Sequence, residues 1–354
     1  MSKFFRNFDF GIVFSSTIIV SFGLATIFSV APDFFQQQFF YWILGLVFFI
    51  LFSLIDYRLY HYFSWWIYPA LLIFLASTFF LGSPTRGSTR WIALENFTIQ
   101  PSELVKPFLI VFFSALLSKK PLFFSIPFFL LPVFLVFKQP DLGSALSYFG
   151  FFGGMALAAG ISSHLLAGAG IFAFTIIPLS WHFFLKEYQK ERIVSFLNPG
   201  FDPLGSGYNG LQALIAIGAG GIFGRGLGMG TQSQLRFLPE HHTDFIFASL
   251  AEELGFVGAI ILLGAYFFLF LRILKIAKEA FDKEGRLICL GVFSLLLFQV
   301  TVNIGMNLGI LPITGITLPL VSSGGSSFLA TMICLGIVES VARNRKTEEA
   351  VEIR

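Results

Sequence analysis

Long apolar runs separated by short polar segments dominate this chain. A helix that crosses a membrane needs about 20 mostly apolar residues, and ten segments have approximately this character. They cover residues 10–30, 39–55, 63–82, 103–118, 121–137, 143–160, 163–185, 244–273, 284–306 and 316–342. The pattern therefore predicts an all-α polytopic membrane protein of about ten transmembrane helices. We expect residues 1–354 to form a single integral membrane domain.

The composition excludes an ordinary soluble domain. Only 12% of the 354 residues are charged and 56% are hydrophobic, whereas soluble domains carry about 25% charged residues. The net charge of +3 does not indicate nucleic-acid binding, because the basic residues lie between apolar runs rather than on one amphipathic face. Cys289 and Cys334 fall inside apolar runs, which favours helix packing over a disulfide or a zinc site.

The distribution of basic residues predicts the orientation. With ten helices both termini lie on one side, and the loops of that side hold fourteen of the 23 Lys and Arg residues. The other side holds eight, and Lys106 falls inside a helix. Short basic loops stay in the cytoplasm, so both termini are expected to be cytoplasmic and the protein to lie in the cytoplasmic membrane. The polar connections 81–103, 138–144 and 186–243 are then extracytoplasmic.

The longest of these connections, residues 186–243 between predicted helices 7 and 8, contains a glycine-rich run. Seven glycines fall within residues 218–230. No Lys-Ser or Lys-Thr follows at the spacing of a phosphate-binding loop, which argues against a nucleotide site. A hinged lid or a close backbone approach fits better, and we favour flexibility. Binding of an anion by backbone N–H groups is the alternative.

The segment QPSELVKP (100–107) places an acid and a base on one face of a predicted membrane helix, because Glu103 and Lys106 are three residues apart. Ionised groups at the bilayer centre cost about 2.5–3.5 kcal/mol each on insertion scales and persist when paired or facing water. Two interpretations have equal weight. The pair is an internal ion pair, or Lys106 binds an anionic substrate group while Glu103 orients it.

A second polar segment, KQPDLGSAL (138–146), places Asp141 directly before an apolar run. Helix N-capping alone accounts for an aspartate at this position. Lys138 lies beside it, however, and Arg86 and Arg90 share the predicted outer face with Asp244. Cationic and carboxylate groups gathered at one face indicate a site for an anionic ligand whose reaction needs a base.

The stretch PEHHTDFIFASLAEELG (239–255) crowds titratable side chains at the start of the eighth predicted helix. N-capping is again the simple explanation for Asp244. At about 1.5 Å per helical residue, Glu252 and Glu253 lie ~12–14 Å beyond Asp244, so the three carboxylates cannot reach one substrate atom. Asp244 is therefore the accessible candidate base. The two glutamates are expected to neutralise a buried cation such as Lys106, or to occupy a polar seam between helices.

A run of small residues, PLVSSGGSSFLA (319–330), lies in the last predicted helix. Close helix packing is the default interpretation of such a run. A helix break at the two glycines that lines a cavity is the alternative.

Four segments together resemble the SEDS family of cell shape, elongation and division proteins. They are GTQSQLRFLPEHHTDFIFASLAEELG (230–255), KQPDLGSAL, QPSELVKP and VNIGMNLGILPITGITLPLVSSGGSS (302–327). The resemblance covers nearly the whole chain in order, and the pieces NIGM and ILPITG are closer to the RodA branch than to the FtsW branch. Two positions depart from the family, which usually has Tyr where Ser323 stands and Gln where Asn209 stands.

The resemblance implies a peptidoglycan glycosyltransferase of cell elongation and rod-shape maintenance. Such a protein polymerises lipid II, the undecaprenyl-diphosphate-linked disaccharide-peptide, into glycan strands. The implied partners are a class B penicillin-binding protein, which is the transpeptidase, and the elongation machinery. The resemblance also implies that Asp244 is the essential acid and that Glu103 and Lys106 line the central cavity. It allows a divalent cation such as Mg²⁺ or Mn²⁺ at the site and names no ligand for it.

A reaction on the outer face has no ATP, so its substrate must arrive activated, as a lipid diphosphate does. We expect Asp244 to act as the general base on the acceptor 4-hydroxyl, and a cationic side chain to stabilise the departing diphosphate. The candidate cations are Arg86, Arg90, Lys106, Lys138, Arg192 and Arg225. A flippase for the lipid-linked precursor and a scaffold of the elongation complex are the alternative functions.

Overall fold

The structure is a computed structural model, and it describes residues 8–85, 88–94, 97–161, 168, 187–197, 207–235 and 237–349. Within these ranges eight helices are long and apolar enough to cross a membrane, and a ninth apolar helix is shorter. The predicted all-α polytopic membrane fold is confirmed.

The elements are numbered here in chain order. The first half contains α1 (Phe10–Val30), α2 (Pro32–Leu54), α3 (Tyr57–Ala76), α4 (Thr78–Leu81), β1 (Ser83–Thr85), β2 (Ser88–Leu94), β3 (Phe97–Ile99), α5 (Pro101–Leu104), α6 (Lys106–Lys119), α7 (Leu122–Lys138) and α8 (Leu142–Ala159). The second half contains α9 (Glu187–Leu197), α10 (Tyr208–Gly220), α11 (Thr231–Gln234), α12 (Ile246–Glu279), α13 (Lys283–Asn307) and α14 (Gly325–Glu349).

Nine of the ten predicted spans have a helix in the part of the chain that the structure describes, and the seventh, residues 163–185, lies outside it except for residue 168. Aspartate side chains cap the N-termini of several of these helices. Asp9 accepts a hydrogen bond from the backbone N–H of Gly11, Asp56 from that of Arg58, and Asp282 from that of Gly285. Each carboxylate satisfies an N–H group that has no partner inside its own helix.

The polar segment 81–103 was predicted to be a loop, but it contains a small antiparallel sheet in the order β1-β2-β3. Ser83 pairs with Trp91 across β1 and β2, and Ile92 pairs with Ile99 across β2 and β3. The strands are rich in β-branched and aromatic residues, which favour a pleated, half-buried surface. The central strand β2 contacts α5.

Two helices form the centre of the bundle. Of the most apolar 18 residues, 83% are buried in the span Pro101–Lys119, formed by α5 and α6, and in α14. The corresponding fraction is 28% in α2 and in the span Tyr57–Leu81, formed by α3 and α4. The contacts of α14 with α2, of α13 with α8 and of α12 with α1 surround this centre. The outer helices therefore present their apolar side chains to the bilayer, and the polar groups of α5 and α6 are enclosed by protein.

The last span was predicted to begin at residue 316, but α14 begins at Gly325. Residues 308–324 form an extended connection instead, with turns at 319–323. The amide of Asn303 on α13 donates hydrogen bonds to the backbone oxygens of Ile316 and Asp244, at 2.8 and 3.0 Å. This amide fixes the connection against the segment that carries Asp244.

The glycine-rich run packs into a break in α12. Gly255 has φ 67° and ψ −167°, so the helix is interrupted there. The N–H groups of Arg225 and Gly226 donate to the oxygens of Glu252 and Glu253, each at 3.0 Å. In the other direction, the N–H groups of Phe256 and Val257 donate to the oxygens of Gly221 and Ile222, at 2.9 and 3.0 Å. Backbone groups inside a membrane need such partners.

These four hydrogen bonds hold residues 221–226 against the break in α12, and the hinged-lid interpretation of residues 218–230 stays a prediction. The close backbone approach is confirmed, because a Cβ on Gly224 would collide with the backbone of Glu253, and one on Gly255 with the backbone N of Gly224. Glycine is required at both positions for space, and also because both have a positive φ.

Candidate active site

A cavity of about 410 Å³ opens at the end of the bundle where α6 and α8 begin. Three parts of the chain surround it: the small sheet with α5, the turn before α12, and the connection that leads into α14. Thirteen of its nineteen lining residues are polar or charged; the lining comprises Ser83, Arg90, Trp91, Ala93, Thr98, Gln100, Glu103, Asp141, Gly143, Ser144, Glu240, Thr243, Asp244, Gly315, Ile316, Thr317, Ser323, Gly324 and Ser327. The structure thus brings Arg90, Glu103, Asp141 and Asp244 to one site.

The Glu103–Lys106 pair stands at the floor of this cavity. The Lys106 ammonium lies 2.5 Å from Oε1 of Glu103, and the hydroxyl of Ser144 donates to the same oxygen at 3.2 Å. Lys106 is only 1% exposed, and Glu103, at 9%, reaches the cavity. The internal ion pair is therefore present, with the carboxylate toward the cavity and the ammonium behind it.

Four groups hold the Asp141 carboxylate. It caps α8 through the N–H of Ser144 at 3.2 Å, and it accepts hydrogen bonds from Gln100 Nε2 at 2.8 Å and from the hydroxyl of Ser102 at 3.0 Å. Arg90 Nη1 approaches its other oxygen at 3.3 Å. Burial alone would raise the pKa of Asp141, but Arg90 and the hydrogen bonds from Ser144 and Ser102 hold it below its ordinary value.

The helix-cap interpretation of Asp141 is confirmed, but its cationic neighbour is Arg90 rather than Lys138. The Arg90 side chain is 31% exposed and lines the cavity. Lys138 is exposed outside that lining, and its ammonium lies over the ring of Phe134 at 5.5 Å. Arg90 can therefore present N–H groups to an anionic ligand while Asp141 fixes the orientation of its guanidinium.

Asp244 does not begin the helix that follows it, so the N-cap interpretation of this residue was wrong. α12 begins at Ile246, and no side chain makes a capping hydrogen bond there. Residues 239–245 form turns instead, and the backbone oxygen of Asp244 accepts hydrogen bonds from the amides of Asn303 and Asn307, at 3.0 and 3.1 Å. The Asp244 side chain lines the cavity, near Gly315.

Glu252 and Glu253 lie outside the cavity lining and have hydroxyl, amide and backbone N–H partners. Glu252 accepts hydrogen bonds from the N–H of Gln232 at 2.8 Å and from the N–H and hydroxyl of Ser233 at 3.1 and 2.8 Å. Glu253 accepts one from the hydroxyl of Ser29 at 2.5 Å. The predicted pairing with Lys106 was wrong, because Glu103 is the partner of that cation, whereas the polar-seam alternative is confirmed.

The remaining basic candidates lie apart from this cavity or outside the described residues. Arg192 donates to the backbone oxygen of Ile313 at 3.4 Å beside a small separate cavity of about 100 Å³. Arg225 donates to the backbone oxygen of Ala219 at 3.2 Å. Arg86 lies outside the part of the chain that the structure describes.

Several lining residues were not predicted as part of the site. Thr98 and Trp91 come from the small sheet, and Thr317 comes from the connection before α14. Gln100 is the first residue of the segment QPSELVKP. The sequence did not predict its hydrogen bond to Asp141, which places it in the site. In the run of small residues, Gly324 lines the cavity while a Cβ on Gly325 would collide with the ring of Tyr41. Both interpretations of that run, packing and a cavity-lining helix break, are therefore correct.

The donor set gives little support for a protein-built metal centre. Across the described residues no three His, Cys, Asp or Glu side chains converge with metal-ligand spacing. The carboxylates of Glu103 and Asp141 are already engaged by neighbouring cations at 2.5 and 3.3 Å.

Sequence comparisons place the whole chain among cell-wall proteins. Residues 3–347 match the family model FTSW_RODA_SPOVE, described as cell cycle protein. The peptidoglycan glycosyltransferase MrdB of Escherichia coli K12 is 39% identical over 86% of this chain and 84% of its own length. The peptidoglycan glycosyltransferase RodA of Treponema pallidum is 31% identical over 95% of this chain and 97% of its own length.

Solved structures share the fold. One chain from a structure titled as the coordination of polymerization and crosslinking by a peptidoglycan synthase complex superposes with a TM-score of 0.85 at 34% identity. The alignment covers 96% of this chain and 98% of that chain. The rod shape determining protein RodA of Thermus thermophilus superposes with a TM-score of 0.72 at 31% identity, over 96% of this chain and 97% of its own.

Proposed function

Because this chain belongs to the FtsW, RodA and SpoVE family of cell cycle proteins, which is the SEDS family, we propose that it is a peptidoglycan glycosyltransferase of cell elongation. It polymerises lipid II into glycan strands on the outer face of the cytoplasmic membrane. One observation carries this proposal: a carboxylate that makes no helix cap, Asp244, shares a polar cavity with Arg90 at the end of a membrane bundle.

The cavity suits an amphiphilic, anionic substrate. Its lining offers hydroxyl groups, an amide and a guanidinium, which match sugar hydroxyls and a diphosphate. The cavity opens at one end of helices whose outer surfaces are apolar, so an undecaprenyl chain can stay in the bilayer while its diphosphate and sugars enter. The lipid diphosphate supplies the activation that the outer face lacks.

Asp244 is the general base in this proposal. It removes the proton from the 4-hydroxyl of the acceptor sugar, whose oxygen attacks the anomeric carbon of the lipid-linked donor. The bond between that carbon and the diphosphate oxygen breaks as the new glycosidic bond forms, with inversion of configuration. General-base assistance of this kind accelerates reactions by about 10²–10⁴-fold. The amides of Asn303 and Asn307, which bind the backbone oxygen of Asp244, hold the base in position.

Arg90 stabilises the leaving group. Among the described residues that line the cavity, Arg90 is the residue with a basic side chain. A guanidinium binds phosphate oxygens through paired N–H groups. Negative charge increases on the diphosphate as the donor bond breaks, so the interaction strengthens in the transition state. Asp141 serves as the positioning residue that orients Arg90.

Glu103 contacts the substrate from the cavity floor, and Lys106 acts through it. The ammonium of Lys106 offsets the cost of burying the Glu103 carboxylate, and the hydroxyl of Ser144 fixes the oxygen that both contact. The roles predicted for Arg86, Lys138, Arg192 and Arg225 remain proposals. Arg192 and Arg225 are then candidates to contact lipid II before it enters the cavity.

We propose that both termini lie in the cytoplasm and that the cavity faces outward. The lysines gathered at the opposite end of the bundle support this orientation: Lys119, Lys120, Lys275, Lys278 and Lys283. Residues 1–354 then form a single integral membrane domain, and residues 186–243 are its long extracytoplasmic loop. The partner is a class B penicillin-binding protein, a proposal supported by the structural neighbour whose title joins polymerization with crosslinking.

The test is an assay in vesicles that contain the purified chain and labelled lipid II, with and without a penicillin-binding protein and a chelator. Glycan polymer formed by the chain supports the glycosyltransferase. Transfer of lipid II between leaflets without polymer would favour the flippase alternative. Co-purification with a penicillin-binding protein, without polymer under any condition, would favour the scaffold.

A further inference from the structure

A second large cavity lies at the end of the bundle opposite the candidate active site. Its volume is about 400 Å³. α8 begins beside Asp141 at the candidate active site and ends at Ala159, which lines this second cavity. A helix of this length spans about 27 Å at 1.5 Å per residue. The two cavities therefore open at opposite membrane surfaces.

Three lysines from different elements surround this cavity. Lys119 ends α6, Lys120 lies in the turn before α7, and Lys283 begins α13. The rest of the wall is largely apolar and includes Leu117, Leu122, Ala156, Ala159 and Ile161. We call this group of residues the lysine cavity.

The nearby carboxylates have other cationic or basic partners. Asp282 lies 3.9 Å from Arg58, and Glu284 lies 2.8 Å from Nδ1 of His61. Within the described ranges no carboxylate oxygen comes within 4.0 Å of the ammonium groups of Lys119, Lys120 or Lys283. The lysine cavity therefore carries an excess of positive charge.

One of these ammonium groups is held in place by its neighbours. The Lys119 Nζ lies 2.6 Å from Nε2 of His61, whose Nδ1 faces Glu284. In the neutral imidazole, Nε2 can accept a hydrogen bond from the ammonium. The contact with His61 restrains the side chain of Lys119, a residue that lines the cavity.

We propose that the lysine cavity binds the phosphate group of an anionic membrane phospholipid. The three ammonium groups attract a phosphate, and basic pockets between transmembrane helices are suited to such headgroups. The apolar wall distinguishes a lipid from a soluble phosphate. Phe123 and Leu157, which follow the wall residues Leu122 and Ala156 in the chain, are 77% and 58% exposed, and acyl chains would lie against them.

The test is binding of fluorescent phosphatidylglycerol to the purified full-length chain in detergent. The variant Lys120→Gln/Lys283→Gln removes two of the three charges and leaves the Lys119–His61 contact in place. Its matched control is Lys275→Gln/Lys278→Gln, which removes two exposed lysines from the end of α12. We expect the cavity variant to bind the fluorescent phosphatidylglycerol about 10- to 30-fold more weakly than the wild type. This factor corresponds to the loss of two lysines, each of which attracts an anionic headgroup.

Unlabelled phosphatidylglycerol should displace the probe, whereas phosphatidylcholine and glycerol 3-phosphate should not. An equal loss of affinity in the control variant would overturn the proposal, because the attraction would then belong to the whole basic surface. Displacement by phosphatidylcholine would overturn the requirement for an anionic headgroup. Displacement by glycerol 3-phosphate at the same concentration would overturn the lipid assignment and identify a soluble phosphate as the ligand. Wild-type thermal unfolding of both variants shows that each is folded.

Discussion

The Lys106 ammonium lies 2.5 Å from the Glu103 carboxylate at the floor of the cavity. Glu103 reaches the cavity and Lys106 is buried behind it. An unpaired charge at this depth costs several kcal/mol, whereas a neutral replacement of both partners costs far less. Stability and catalysis can therefore be separated at this pair.

Glu103→Gln is expected to destabilise the protein by about 3–5 kcal/mol, because it leaves the Lys106 ammonium buried without its carboxylate. Lys106→Met combined with Glu103→Gln should recover most of the lost stability. It should not recover polymerase activity, since the substrate contact of Glu103 stays absent. Thermal unfolding in detergent and glycan polymerisation measure the two effects. If the double variant were no more stable than Glu103→Gln, the unpaired Lys106 ammonium would not be the cause of the lost stability.

Arg90→Gln should lower kcat/KM for lipid II by about 10²–10³-fold, as removal of a group that stabilises developing charge does. The loss should fall mainly in kcat, because the diphosphate gains charge in the transition state. Steady-state polymerisation rates across lipid II concentrations measure both constants. Lys278→Gln, which removes a lysine from the end of α12, is the control and should match the wild type. A change confined to KM would show that Arg90 binds the substrate and the transition state equally well, which would contradict its role in stabilising the leaving group.

Asp141 gives the protein an acid-sensitive contact. The folded state holds the Asp141 pKa below its ordinary value, so the stabilisation is complete above the ordinary range and is lost as the pH falls through the lower folded-state value. Asp141→Asn retains a helix cap but loses the charge that faces Arg90. Near neutral pH it should cost about 1.5–3 kcal/mol, as for a hydrogen bond to a charged group.

Thermal unfolding of Asp141→Asn and wild type from pH 7 to below pH 4 measures this difference. The stability advantage of the wild type should remain constant near neutral pH and shrink under acid. An advantage that grows as the pH falls would have the wrong sign for a carboxylate of lowered pKa.

The break in α12 can be tested at one glycine. Gly255→Ala places a Cβ against the backbone N of Gly224 at a positive φ, so it should destabilise the protein by more than the ~1–2 kcal/mol of left-handed strain alone. Gly264→Ala lies on the same helix with open space around it. That control should be neutral or stabilising by up to about 1 kcal/mol. Equal thermal unfolding of the two variants would contradict the tight packing of the glycine-rich run.

Much of the fold follows from the sequence because apolar runs and aspartate caps act locally. A helix such as α1 must bury about 20 apolar residues and satisfy its own backbone, whatever its neighbours are. The strands β1 to β3 were missed because their pairing, such as Ile92 with Ile99, depends on residues that no local pattern identifies.

The sequence predicted the main acidic and basic residues of the site, but it did not predict which groups each of them contacts. Asp141 and Asp244 have the same local signature, an aspartate before an apolar run. One caps its helix and the other does not. The difference comes from distant groups: Arg90 and Gln100 approach Asp141, while Asn303 holds the backbone of Asp244 so that its side chain faces the cavity. Only tertiary structure supplies these distances.

The most direct measurement is glycan polymerisation by Asp244→Asn in vesicles with labelled lipid II. Asp33→Asn is the matched control, because Asp33 is an exposed acid in the first turn of α2 and lies outside the cavity lining. Loss of the general base predicts a rate about 10²–10⁴-fold lower for Asp244→Asn, with wild-type thermal unfolding and wild-type rates for Asp33→Asn. Wild-type polymerisation by Asp244→Asn would contradict the assignment of this residue as the base.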